Sequence, residues 1–285
     1  MHNPENEMKQ TRKTFLKVLG ASTMIAAFNP TKASQMAAEA APKTDLNLGI
    51  ASYTLRKFNL DETISMVKGL NLKSIALKSM HMPLESSEAE LKAIAQKVKD
   101  AGLNLYGAGV IYMKTEDEVN QAFKYAQAAG IKVIIGVPVP EVLALAEQRV
   151  KETGIKVAIH NHGPEDDVYP SPKSIMDKIA DMDERLGLCI DVGHTLRSGY
   201  DPATEIKKYK ARLYDVHLKD VNSSEPDGST LEMGRGVLDL PSVLKALDKI
   251  NYTGVIAAEY EKDGDNPLPG LAESIGYSRG ILAML

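Results

Sequence analysis

From Leu46 to the C-terminus, short apolar runs of strand length alternate with stretches whose apolar residues recur at helical spacing, and the alternation repeats eight times. The runs cover residues 46–53, 74–77, 103–110, 131–137, 155–161, 186–192, 213–218 and 255–259. The helical stretches cover 61–70, 87–101, 115–129, 140–151, 171–182, 201–210, 240–249 and 271–284. In the first of these, Ile64, Val67 and Leu70 mark one face and Asp61 is the expected N-cap. Nearly continuous apolar runs suit strands buried on both faces, and strict strand–helix alternation builds a parallel sheet. Eight such units predict a single-domain (β/α)8 TIM barrel, an α/β fold, spanning residues 41–285. A doubly wound dinucleotide-binding sheet finds no support, because no Gly-x-Gly-x-x-Gly follows the first run. The longest irregular stretch, 222–237, follows the seventh run and is expected as a βα loop over the barrel mouth.

The first 40 residues have a different character. A basic stretch, Thr11-Arg12-Lys13-Thr14-Phe15-Leu16-Lys17, precedes a short apolar run from Val18 to Phe28 and then an Ala-rich tract containing Ala38-Glu39-Ala40. That order is expected of an export signal and gives a periplasmic localisation. It resembles a twin-arginine signal with Lys13 in place of the second arginine. The competing reading is a cytoplasmic protein with a disordered leader. The run falls short of the roughly 20 apolar residues a stable membrane span requires.

Beyond this leader the chain holds 29 Lys/Arg against 35 Asp/Glu. An acidic surface opposes a nucleic-acid partner, whose phosphates demand clustered Lys and Arg. Cys189 is the sole cysteine, so no intrachain disulfide can form. Its place within a strand suits a small buried hydrophobe.

Four of the later runs end in residues that bind metals: His160 after the fifth, Asp191 after the sixth, His217 in the seventh and Glu259 after the eighth. Barrel active sites form at the C-terminal ends of strands, so these four are expected to hold one divalent metal. Imidazole with carboxylate favours Mn, Zn, Co or Fe over Mg. His162 lies two residues beyond His160 and shares its face if the strand continues. Glu261 stands in the same relation to Glu259, which is preferred as ligand because it directly ends the apolar run. Lys78 and His81, after the second run, are expected at the mouth, and Tyr53 is expected to form part of its wall. Lys219 is a candidate to polarise a carbonyl or carry a proton, or simply to pair with Asp220 or Asp191. Arg235 in the long loop is a candidate to hold a substrate hydroxyl or anion.

The segments Asp191-Val192-Gly193-His194, His217-Leu218-Lys219-Asp220, Gly234-Arg235-Gly236-Val237-Leu238-Asp239 and Gly254-Val255-Ile256-Ala257-Ala258-Glu259 resemble the xylose-isomerase-like TIM barrels. This superfamily of sugar isomerases and epimerases also includes inosose dehydratases and apurinic endonucleases. The resemblance implies metal ligation by Asp191, His217 and Glu259, and a substrate contact by His194. The family's ketose epimerases carry a Glu after strand five, where this chain has His160. They use two opposed metal-bound glutamates as acid and base, and here only Glu259 remains. The resemblance therefore implies a metal-dependent isomerase or epimerase acting on a small sugar or keto-sugar, with Glu259, Lys219 and His194 as catalytic candidates. The alternative is an elimination lyase or dehydratase on a 3-keto-glycoside or ketocyclitol. An apurinic endonuclease is opposed by the acidic balance; a non-catalytic sugar-binding barrel would bind without turnover. The partner implied is a small carbohydrate, and a homo-oligomer is compatible with it.

Overall fold

The computed structural model describes residues 44–285, so the leader expected at 1–40 lies outside the described residues. Eight parallel strands close into a barrel: β1 (Asn47–Ala51), β2 (Ser74–Leu77), β3 (Asn104–Met113), β4 (Val133–Pro138), β5 (Lys156–His160), β6 (Leu186–Asp191), β7 (Leu213–Leu218) and β8 (Val255–Ala258). They pair in chain order, and β8 closes on β1. The helices between and after them are α1 (Leu60–Gly69), α2 (Glu88–Asp100), α3 (Glu116–Ala128), α4 (Leu143–Thr153), α5 (Pro172–Ile179), α6 (Val192–Arg197), α7 (Pro202–Lys208), α8 (Leu240–Lys249) and α9 (Leu268–Leu282). No helix of the described residues is long and apolar enough to cross a membrane.

Strand alternation divides the core in two. Outward residues such as Ile50, Ile75, Ile134, Val157, Ile190 and Val216 pack under the helices. The alternate set, Ala51, Ala76, Ile135, Ala158, Cys189 and Ala257, packs around Tyr106 inside the barrel. Small residues there leave room for one tyrosine and for the polar groups above it. Cys189 is fully buried, as a strand cysteine should be.

Several boundaries differ from the sequence expectation. Asn59, rather than Asp61, caps α1 and forms a capping box with Glu62; Asp61 instead pairs with Lys97 on the surface. β3 runs on to Met113, which carries Tyr112 to the mouth. A short helix, α6, starts directly at the end of β6. The stretch expected to be irregular begins inside a hairpin, in which Asp220–Val221, just before it, pairs with Thr230–Leu231 within it.

Asp220 organises this region. Its buried carboxylate accepts backbone N–H bonds from Val221 (2.9 Å), Gly234 (2.9 Å), Gly236 (3.0 Å) and Leu238 (3.1 Å). Gly236 is required for this wrap, since an added Cβ would stand 2.2 Å from the Asp220 carboxylate. Asp220→Ala is expected to cost about 3 kcal/mol, because four backbone donors lose a charged acceptor. A urea titration reads this as a lowered midpoint; an unchanged midpoint would remove Asp220 as the anchor of the loop.

Candidate metal centre

Register delivers the polar cluster. Across neighbouring strands Asp191 is level with His217, His160 with Cys189, and Ala257 with His217. Each side chain points to the barrel axis at the C-terminal end. One ligand atom from each of His160, Asp191, His217 and Glu259 lies within 4.8 Å of all the others, and all four residues are buried.

Asp191 is fixed from two sides. Its Oδ1 accepts from the backbone N–H of His194 at 2.9 Å and so caps α6. Its own N–H donates to Asn161 Oδ1 (3.1 Å), and Thr195 Oγ1 donates to its carbonyl (2.6 Å). Oδ2 faces the cluster, buried, and meets the Lys219 ammonium at 3.0 Å. His217 Nδ1 stands 3.0 Å from Glu259 Oε2, and its other nitrogen lies 3.5 Å from Asp215 Oδ2 deeper in the barrel. Asp215 in turn accepts from Tyr106 Oη (3.1 Å) and Cys189 Sγ (3.5 Å). A second grouping, His160, Cys189 and His217, is also close enough to share an ion. Burial pushes the Cys189 thiol well up, and the neighbouring Asp215 carboxylate adds to this, so the thiolate a metal needs is disfavoured.

The electrostatics are those of a site built for positive charge. Burial would raise the Glu259 carboxyl, but His217 and Lys219 outweigh it and hold it well below the usual range. Burial alone would lower His217; Glu259, Asp215 and Asp191 overrule it and lift it to about 9. Lys219 Nζ lies 3.0 Å from both Asp191 Oδ2 and Glu259 Oε2, and 2.5 Å from Glu261 Oε1. Burial opposes its charge, and these three carboxylates restore it. Lys219 therefore pairs with Asp191, Glu259 and Glu261, and Asp220 serves the loop instead. Two buried carboxylates beside two imidazoles, already drawn together around one buried ammonium, make a donor set that fits a divalent cation.

The remaining candidates divide. His162 is at the mouth: its ring meets that of His160 edge-on at 4.5 Å, and its Nε2 is 3.1 Å from Tyr112 Oη. Lys78 Nζ lies 5.3 Å from the ring of Tyr53 and 5.9 Å from that of Tyr112. His194 Nε2 points to the cluster, 4.0 Å from Asp191 Oδ2. His81 is not at the mouth. It is buried behind β1, with Nδ1 2.9 Å from Ser52 Oγ and Nε2 3.0 Å from both the Phe58 carbonyl and Thr63 Oγ1. It ties the turn after β2 to α1, which corrects the expected substrate contact. Arg235 is likewise turned away, its exposed guanidinium held in two bonds by Glu273 on α9 (2.5 and 2.7 Å). Tyr112, Arg197, Asp215 and Asp166, which lies 3.3 Å from His162 Nδ1, were not read as site residues from sequence. Tyr112 needed the true end of β3, Asp215 depends on contacts between strands inside the barrel, and Arg197 and Asp166 depend on contacts across loops.

The model of the xylose isomerase-like TIM barrel matches residues 64–281. The chain belongs to that family. An inosose dehydratase from Clostridium perfringens is 32% identical over 145 residues, covering 45% of this chain and 46% of that protein. The chain thus matches less than half the length of this relative. The fold is shared with the crystal structure of an IOLI protein with a bound zinc atom, at TM-score 0.70 and 15% identity, covering 84% of this chain and 99% of that one. It is also shared with 3-keto-D-glucoside 4-epimerase YcjR from E. coli, at TM-score 0.69 and 15% identity, covering 83% and 100%.

Asp191→Asn and His217→Ala are expected to lose stoichiometric metal, read by elemental analysis after desalting, with the circular dichroism of the barrel retained. Full metal content in either variant would break the proposed ligand set. Lys219→Met is expected to bind metal about tenfold more tightly, because an ammonium no longer competes for Asp191 and Glu259. Weaker binding, measured by calorimetry, would contradict that competition.

Proposed function

We propose that this protein is a metal-dependent enzyme that abstracts a proton next to the carbonyl of a keto-sugar or ketocyclitol, and that elimination follows. The observation carrying the choice of outcome is His160 at the end of β5, which leaves Glu259 as the one glutamate in the four-residue cluster. Epimerisation with two opposed bases needs a second carboxylate on the other face; elimination needs one base. The dehydratase named among the relatives supports the same choice.

His160, Asp191, His217 and Glu259 would hold the metal, and the zinc named for the IOLI neighbour is in keeping with that donor set. Bound there, a divalent metal supplies Lewis-acid stabilisation of negative charge on oxygen. Glu259 is kept ionised by His217 and Lys219, which leaves it in the form a base requires. It takes the proton from the carbon beside the carbonyl, and that electron pair becomes the enolate. The bond from the next carbon to its oxygen then breaks. The departing oxygen receives the same proton back from Glu259 and leaves as alcohol or water, giving an unsaturated ketone. Lys219, 3.0 Å from Glu259 Oε2, offsets negative charge throughout. A cavity of about 460 Å³ opens beside Lys219, Glu261 and His194, which suits a substrate with a group appended to the ring.

Isomerase or epimerase chemistry is the second reading, supported by the family's other members and by His162, which lies at the mouth beside His160. Export of the protein, carried by the leader sequence, belongs to the same proposal, since glycan-derived substrates are met outside the cytoplasm.

The test is an NMR time course in D2O with the metal-loaded protein and a panel of ketoses, ketocyclitols and 3-keto-glycosides. Release of alcohol or water with an unsaturated ketone is the expected result. Deuterium beside the carbonyl of a rearranged or epimerised sugar, with no elimination product, would replace this proposal by the second reading. Glu259→Gln is expected to lower turnover by at least about a hundredfold, the scale of a general base. Undiminished turnover in that variant would remove Glu259 as the base.

A further inference from the structure

We infer that Arg197 is a positioning residue that locks His194 as a neutral imidazole with its proton on Nε2, making His194 a fixed hydrogen-bond donor into the site. The inference rests on the keto-sugar reading only for what His194 donates to, namely an oxygen of the substrate. The lock itself rests on the protein alone.

Arg197 ends α6, one helical turn after His194. Its Nη2 lies 2.7 Å from His194 Nδ1. A guanidinium has five donors and no acceptor, so Nδ1 must offer its lone pair and the proton of the neutral ring must sit on Nε2. A proton on Nδ1 would set two N–H groups against each other at that distance. Nε2 is the nitrogen that faces the cluster, 4.0 Å from Asp191 Oδ2.

Arg197 has little freedom to release this contact. Its side chain is 9% exposed. Nη1 bonds Glu165 Oε1 at 2.6 Å in the loop after β5, and it also bonds the Pro226 carbonyl in the hairpin loop after β7. One guanidinium thus joins α6 to two loops of the mouth. The backbone makes room for it at Gly163, where φ is +93°. An added Cβ there would stand 2.9 Å from His194 Nδ1, 3.0 Å from Arg197 Nη2 and 3.1 Å from Glu165 Oε2. The loop after β5 can close over this trio only if that position has no side chain. His194 and Arg197 also line the cavity beside Lys219. A donor held there serves a substrate oxygen that gains charge, and does not serve as a base.

The test is a long-range 1H–15N correlation spectrum of the imidazoles in 15N-labelled, zinc-loaded protein without substrate, with His194 assigned from the signal lost in His194→Gln. The expected result is a single tautomer, protonated at Nε2 and bare at Nδ1. Arg197→Lys, which keeps a donor, should retain it. Arg197→Met should show averaged tautomers, and on a turned-over keto-sugar its kcat should fall about a hundredfold with KM little changed. Gly163→Ala intrudes on the same pair and takes the place of Arg197→Met if that variant does not fold. A wild-type Nδ1–H tautomer or imidazolium, or an unaltered Nε2–H signal in the variants, would overturn the inference. Because the spectrum needs no substrate, a correct tautomer in a protein that turns over no keto-sugar would defeat the proposed function and leave the lock standing.

Discussion

Asp191 and Glu259 are buried at the mouth of the barrel and Asp215 beneath them, and the rest of the site is organised around that cost. Carboxylates out of water are tolerated when charge and hydrogen bonds meet them. The neighbouring strands deliver those partners: His217 between Glu259 and Asp215, and Lys219 against Asp191, Glu259 and Glu261. One oxygen of Asp191 caps α6 while the other faces the cluster and Lys219. The same residue therefore starts a helix and offers a ligand atom, and the helix it starts carries His194 and Arg197.

Much of this was legible in the sequence because it rests on periodicity. Apolar runs and helical spacing marked eight units, and the closed barrel has eight strands in that order. A parallel barrel puts strand ends together, so His160, Asp191, His217 and Glu259 stand out by their places in successive apolar runs. Tertiary partners decided what was not legible. Asp61 and Asn59 are both sound caps, and the capping box with Glu62 selects Asn59. His81 looks like a mouth residue by count along the chain, but Ser52, Thr63 and the Phe58 carbonyl hold it behind β1. Arg235 has Glu273 of α9 as a nearer anion than anything in the cleft. The Arg197–His194 contact needs α6, which begins directly after the last strand residue and is too short to show a periodic face.

Membership of the family brings the fold and the expectation of chemistry on sugars, while individual positions distinguish one activity from another. His160 is the position with most leverage, since an imidazole there cannot work as an opposed carboxylate would. Tyr53, Lys78 and Tyr112 give the other side of the mouth a cation between two aromatic rings. Such a wall suits stacking on a sugar face together with bonds to its hydroxyls.

The central claim is that one divalent ion is shared by two imidazoles and two carboxylates. X-ray absorption on the zinc-loaded protein tests it most directly. The account predicts two imidazole nitrogens and carboxylate oxygen at about 2.0–2.2 Å, with no sulfur shell. A sulfur scatterer near about 2.3 Å would assign the ion to Cys189, and that result, or a shell with a single imidazole, would contradict the account.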